Sequence, residues 1–260
     1  MAFNKTKKTK SPLKDKPLRN PGQSLDEELQ RIIYEDALIL ALVTILFIVT
    51  AALEWWRFYN PVPPNPVVAT FFAAGITIYC VIRLVFVIKK ARRLKLGQYG
   101  EMAVGQYLEL LREKGCRVFH DIVGKGFNID HVVISNRGIY VIETKTYSKP
   151  ARGEAVIYYD GENLQKNGYK LDSNPVTQVK AAANEIRTIL EESTGRKFFV
   201  KPVVVFPGWF IKDDGANRKS EVWVLEPKAL PSFIDNQLDA LSLDDLRLAV
   251  YHLSRYIRSI

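Results

Sequence analysis

Glu143 and Lys145 stand two residues apart in Gly138-Ile-Tyr-Val-Ile-Glu-Thr-Lys145, and their types and spacing suggest chemistry. The segment alternates as a strand does, so both charged side chains continue the face that carries Ile139 and Val141. Residues 128–134 read as a preceding strand, joined to it through Ser135-Asn136-Arg137-Gly138. A symmetric two- or four-residue loop pairs Ile134 with Ile139, and that register sets Asp130 opposite Glu143. Directly opposed residues have Cβ atoms about 4.5–5.5 Å apart, where like charges destabilise the pair. A divalent cation removes the repulsion and suits carboxylate oxygens. A three-residue loop or a bulge would break this register.

Two helices add polar groups. At 100° per residue, Glu101 shares a stripe with Val104, Leu108 and Leu111, which predicts that it faces the sheet. Gln178 lies on one face with Ala182, Ile186 and Ile189 and is expected on the core side. Each feature has an ordinary alternative. An E-x-K pair on a strand is commonly a solvated ion pair, a Glu near a helix start serves the dipole, and a helical Gln is commonly surface. Their joint convergence is what points to a site.

Four segments together resemble the NERD (nuclease-related) domain: Gly100-Glu101 opening a helix, Asn128-Ile-Asp130-His-Val-Val-Ile134, Gly138 to Lys145, and Asn174-Pro-Val-Thr-Gln178. The resemblance covers roughly residues 97–210. It implies the restriction-endonuclease-like fold of PD-(D/E)xK nucleases, a mixed β-sheet flanked by helices. It also implies that Asp130 and Glu143 ligate Mg²⁺ or Mn²⁺, with Glu101 a further ligand directly or through water. Lys145 would activate water or stabilise charge, and Gln178 would orient water or Lys145. The implied partner is nucleic acid, DNA before RNA. The alternative is a catalytically inactive module of the same fold that binds nucleic acid or protein.

The elements that must position these residues occupy 97–260. A helix is expected at 98–114, strands at 116–123, 128–134 and 139–146, and a small hairpin at 155–159 and 164–170 around Asp160-Gly161. Asn174-Pro175 caps a helix running to about 192, which Gly195 ends. Strands follow at 198–206 and 221–225, and a Ser242–Asp245 capping box opens a last helix. The fold class is α/β.

Ahead of this domain lie two apolar runs. Residues 37–53 carry no charge, and residues 67–88 carry only Arg83, which can snorkel. Trp55, Trp56 and Tyr59 suit a membrane interface, and Pro61, Pro63, Pro64 and Pro66 forbid helix in the turn. Residues 1–31 are expected to be a disordered basic arm, and 32–96 the two transmembrane helices with a basic juxtamembrane segment. The arm holds eight Lys or Arg, the connecting loop one, and KKARRLK five. The positive-inside rule then predicts a multi-pass protein of the cell membrane with both termini and the domain in the cytoplasm.

Of the net charge of +9, residues 1–96 carry +8 and residues 97–260 only +1, with 22 basic against 21 acidic side chains. The basic excess is thus first a topology signal, and the near-neutral domain speaks for the inactive-module alternative. Two cysteines exclude a disulfide scaffold and a Cys-based zinc site, and the three histidines lack zincin spacing. His131 should point away from Asp130 as a core or second-layer group. Trp209 and Phe210 are readable as base-stacking or as core residues.

Overall fold

The computed structural model describes residues 18–60, 66–124, 126, 128–150, 153–171 and 173–259. Residues 1–17 of the expected arm and the expected turn at Pro61, Pro63 and Pro64 lie outside the described residues. The chain divides into two compact units, Gly22–Tyr99 and Gly100–Ile260 together with the residues up to Pro21.

The first unit contains α1 (Gln23–Tyr59) and most of α2 (Pro66–Glu113), helices of 37 and 48 residues. At 1.5 Å per residue they are about 55 and 72 Å long. Both are long and apolar enough to cross a membrane, and their most apolar windows bury no residue. Two expectations are corrected. Residues 23–31 are helical rather than disordered, because the acidic start of α1 is matched by α2: Lys90 Nζ lies 2.8 Å from Glu28, and Gln98 Nε2 donates to Asp26 Oδ1 at 3.1 Å. The expected helix at 98–114 is the end of α2, since residues 89–96 are good helix formers without a breaker.

The second unit holds two sheets. The larger has the order β1-β2-β3-β7-β9, from β1 (Arg117–Val123), β2 (Asn128–Ser135), β3 (Gly138–Thr144), β7 (Val200–Val205) and β9 (Trp223–Leu225). The first three strands are antiparallel, and β7 and β9 continue parallel to β3. The smaller sheet has the order β6-β5-β4-β8, from β4 (Val156–Tyr159), β5 (Leu164–Lys166), β6 (Tyr169–Lys170) and β8 (Phe210–Lys212). The expected strand over 164–170 is split because Asn167 and Gly168 both adopt positive φ, a hairpin turn of its own. This is a mixed α/β architecture.

Helices α3 (Pro175–Thr194), α4 (Ala216–Lys219), α5 (Leu230–Asp235) and α6 (Leu243–Ser259) complete it. Asn174 Oδ1 accepts from Val176 N and Thr177 N, and Gly195 at φ 69° closes α3. Ser242 Oγ accepts from Asp245 N at the start of α6. All of β3 is buried, so its alternation serves two cores. Ile139 and Val141 pack with Val179, Ile186 and Leu253 of α3 and α6. Tyr140 and Ile142 pack with Val104, Leu108 and Leu111 of α2 and Ile234 of α5. The end of α2 and the whole of α3 therefore cover opposite faces of the large sheet.

Candidate active site

The hairpin turn between β2 and β3 has two residues, Asn136 and Arg137, because Ser135 pairs with Gly138 and Ile134 with Ile139. The ladder, in the expected register, runs to His131 opposite Ile142, and Asp130 and Glu143 are the next residues of the two strands beyond that rung. There the ladder gives way to a side-chain contact: Thr144 N donates to Asp130 Oδ2 at 2.7 Å. Strand β3 stays fixed to β7 beyond this point through Lys145 N donating to Val205 O at 2.9 Å. Lys145 Nζ donates to Glu143 Oε1 at 2.7 Å and to Gln178 Oε1 at 2.8 Å. Asp130, Glu143, Lys145 and Gln178 thus meet at the end of β3. Gln178 is solvent-exposed rather than core-facing, because the first turn of α3 lies by the open end of the site.

Glu101 comes from α2, on the sheet face opposite α3. Its neighbour Gly100 makes the approach possible: a Cβ there would lie 1.6 Å from Thr146 Oγ1 and 2.8 Å from Thr146 Cβ. A short β-branched side chain cannot swing clear, so the helix and the segment that follows β3 meet this closely only over glycine.

Asp130, Glu143 and Glu101 are 7%, 3% and 6% exposed. Burial pushes the Asp130 carboxyl well above the usual carboxylate range, and the charges of Glu143 and Glu101 push it further. Burial also raises Glu143, but the Lys145 ammonium opposes the rise. Both carboxyls are thus held above their ordinary range, and the Lys145 ammonium offsets part of the effect. Asp130 and Glu143 bring two buried carboxyls to the end of the strands where the Lys145 ammonium lies, hard oxygen donors of the kind that could hold a divalent cation such as Mg²⁺ or Mn²⁺. Among the described residues no three His, Cys, Asp or Glu side chains gather into a ligand cluster. Glu101 arrives from the α2 side of the sheet, and its charge is one of those that raise Asp130.

The rung beside Asp130 holds groups that the sequence pattern did not reveal. His131 points away from the site, as expected, and its Nδ1 lies 2.9 Å from His120 Nδ1 in a buried pair. Burial pushes both imidazoles down, so one ring donates its Nδ1–H to the other. Asp121, fully buried at φ 51°, pairs with Arg19. Its signal in the sequence was an acid in the middle of an apolar strand. Trp209 is 1% exposed and donates Nε1–H to Tyr147 O at 3.2 Å, so it belongs to the core, while Phe210 is exposed.

Residues 96–207 match the nuclease-related domain, NERD. The match encloses Glu101, Asp130, Glu143, Lys145 and Gln178. Residues 96–207 are therefore similar to a nuclease-related domain, and such a domain implies nucleic acid, at most, as a partner. No curated protein sequence matches the chain. The structure of Pyrococcus furiosus SfsA in complex with Ca²⁺ is similar at 16% identity and a TM-score of 0.26, over 51% of this chain and 55% of that one. The chain thus spans about half the length of that protein, and the likeness carries no argument.

Proposed function

We propose that the nuclease-related domain is an active, divalent-metal-dependent nuclease of restriction-endonuclease-like type that hydrolyses phosphodiester bonds. The observation that carries this reading is the cluster of Asp130 and Glu143 at adjoining strand ends, with Lys145 held between Glu143 and Gln178. Asp130 and Glu143 would hold Mg²⁺ or Mn²⁺, with Glu101 adding negative charge nearby. Such an ion, when bound, lowers the pKa of its water and neutralises phosphate charge.

The chain's own residues do the rest. Thr144 N fixes the Asp130 carboxylate by one oxygen, which leaves the other to face the site. Gln178 Oε1 accepts a hydrogen bond from Lys145 Nζ, and its amide N–H groups remain as donors for water or a phosphate oxygen. Lys145 carries three donors and uses two on these partners, so the third can meet a phosphate oxygen or the attacking water. DNA is the substrate we expect before RNA.

Purified full-length protein in detergent should cut labelled DNA or RNA with Mg²⁺ or Mn²⁺ and stop when EDTA is added. Binding without cleavage of any single- or double-stranded substrate would favour the inactive module, which the near-neutral charge of residues 97–260 supports.

We also propose that α1 and α2 anchor the protein in the cell membrane, with both termini and the domain in the cytoplasm. The exposed apolar lengths of the helices and the uneven Lys/Arg distribution support this. In intact cells, Asn60→Cys should react with an impermeant maleimide and Ser259→Cys should not. Equal labelling of both would refute the topology.

A further inference from the structure

A second concave site lies at the other end of β3. Glu143 is four residues along the strand from Ile139, which separates the two places by about 13 Å. Here a cavity of about 520 Å³ opens over the first residues of β3, β7 and β9, bounded by α4, α5 and the turn after α5. That volume suits a small ligand. Three cations line it, Arg137, Lys201 and Arg218, and no Asp or Glu does.

The cations are not equivalent. Arg137 already donates to Ile234 O and lies 3.8 Å from Asp235 and 3.9 Å from Asp239, so its charge is largely answered. Lys201 Nζ donates to Ser220 O at 3.0 Å and sits 5.0 Å from the centre of the Trp223 ring. Burial lowers the pKa of this ammonium, and Glu221 is the charge that opposes the fall. An arriving anion would oppose it further. Arg218, exposed on α4, completes the cationic side.

The rest of the lining is aromatic. Trp223 stacks on Tyr140 with centroids 5.7 Å apart, and Phe233 meets its edge at 5.4 Å. Tyr140 and Lys201 already occupy the Trp223 ring, which makes this group a rigid floor. Phe199, 68% exposed at the mouth, is the aromatic face left for a ligand. Asn236 and Gln237 put amide side chains on the same rim.

A ligand matched to this lining needs an anion for Lys201 and Arg218 and a flat ring for Phe199. We propose that the cavity binds a nucleoside monophosphate, free or as the terminal nucleotide of a strand. The phosphate would lie against Lys201 and Arg218, the base would stack on Phe199, and the rim amides would meet the base edge.

The test uses full-length protein in detergent with EDTA present, which keeps any cleavage silent and makes the result independent of nuclease activity. Adenosine monophosphate should bind and raise the melting midpoint, with adenosine and inorganic phosphate each at least about tenfold weaker. Arg218→Gln and Lys201→Met should each weaken it about tenfold or more. Phe199→Ala should weaken adenosine monophosphate while leaving phosphate unchanged. A terminally phosphorylated tetranucleotide that binds tighter than the mononucleotide assigns the site to strand ends, and equal or weaker binding assigns it to free nucleotide. Lys201 packs on Trp223 and its variant can lose stability, so the exposed Arg218→Gln decides the matter. Absence of binding at millimolar adenosine monophosphate, or binding unmoved by Arg218→Gln, overturns the proposal. Phosphate binding as tight as the nucleotide also overturns it.

Discussion

Lys145→Ala in the full-length protein should lower the cleavage rate by about 100- to 10,000-fold, the range that a positioned proton-transfer or charge-stabilising group supplies. The same variant should still respond to Mg²⁺, because the ammonium is a partner of Glu143 rather than a metal ligand. Without metal its stability should fall. Glu143 is buried and would lose the cation 2.7 Å away, and leaving a buried acceptor unmet costs about 1–3 kcal/mol and more when it is charged. Glu143 would then titrate higher still, since Lys145 is what opposes the effect of burial on it. Added Mg²⁺ should therefore raise the melting midpoint of the variant by more than that of the parent. The combination separates a catalytic lysine from a structural one: a large rate loss, with the metal response kept or enlarged. Cleavage at the parental rate would remove Lys145 from the chemistry and leave the fold untouched.

The hairpin that carries the site was legible because a one-residue slip would turn every apolar side chain of β2 and β3 to the wrong face. The alternation of Ile139 and Val141 with Tyr140 and Ile142, and the two-residue turn at Asn136-Arg137, therefore bring Asp130 and Glu143 to adjoining strand ends. The ends of α3 and the start of α6 were legible too, since Asn174, Gly195 and the Ser242–Asp245 pair act through local geometry. Other features depend on tertiary structure. An apolar stripe shows that a helix covers a sheet but not which face, so Glu101 and Gln178 read as neighbours although their helices lie on opposite sides. The continuity of α2 was hidden because a basic stretch after an apolar run reads equally well as a juxtamembrane linker. The bond from Thr144 N to Asp130 uses a backbone donor, which any residue but proline carries. The short strands β6 and β8, of two and three residues, owe their pairing to their neighbours rather than to a pattern of their own.

In the proposed site Asp130 would answer to both pH and metal, and Asp130→Asn should invert its effect on stability. In the metal-free protein the Asp130 carboxyl titrates well above the usual carboxylate range. The folded state then binds a proton that the unfolded state releases, so stability falls as pH rises above the unfolded value of 3.8 and through the folded one. Below that window the carboxyl is neutral in both states and its contribution is fully present. The amide that replaces it has no charge to bury, and its oxygen can still accept from Thr144 N. With EDTA, the melting midpoint of the variant should therefore gain on the parent from about pH 4 upward and level off once Asp130 is ionised. With Mg²⁺ at about 100 times its dissociation constant, the parent should gain about 2.7 kcal/mol. For a domain of this size that is a rise of about 5–10 °C, and the variant should gain much less. The order of the two proteins at neutral pH thus reverses between EDTA and Mg²⁺. A variant that melts below the parent at every pH without metal would mean that the carboxylate is satisfied within the protein. A Mg²⁺ response untouched by both Asp130→Asn and Glu143→Gln would place the ion elsewhere, and the carboxyl pair would then be a strained feature of the fold rather than the seat of its chemistry.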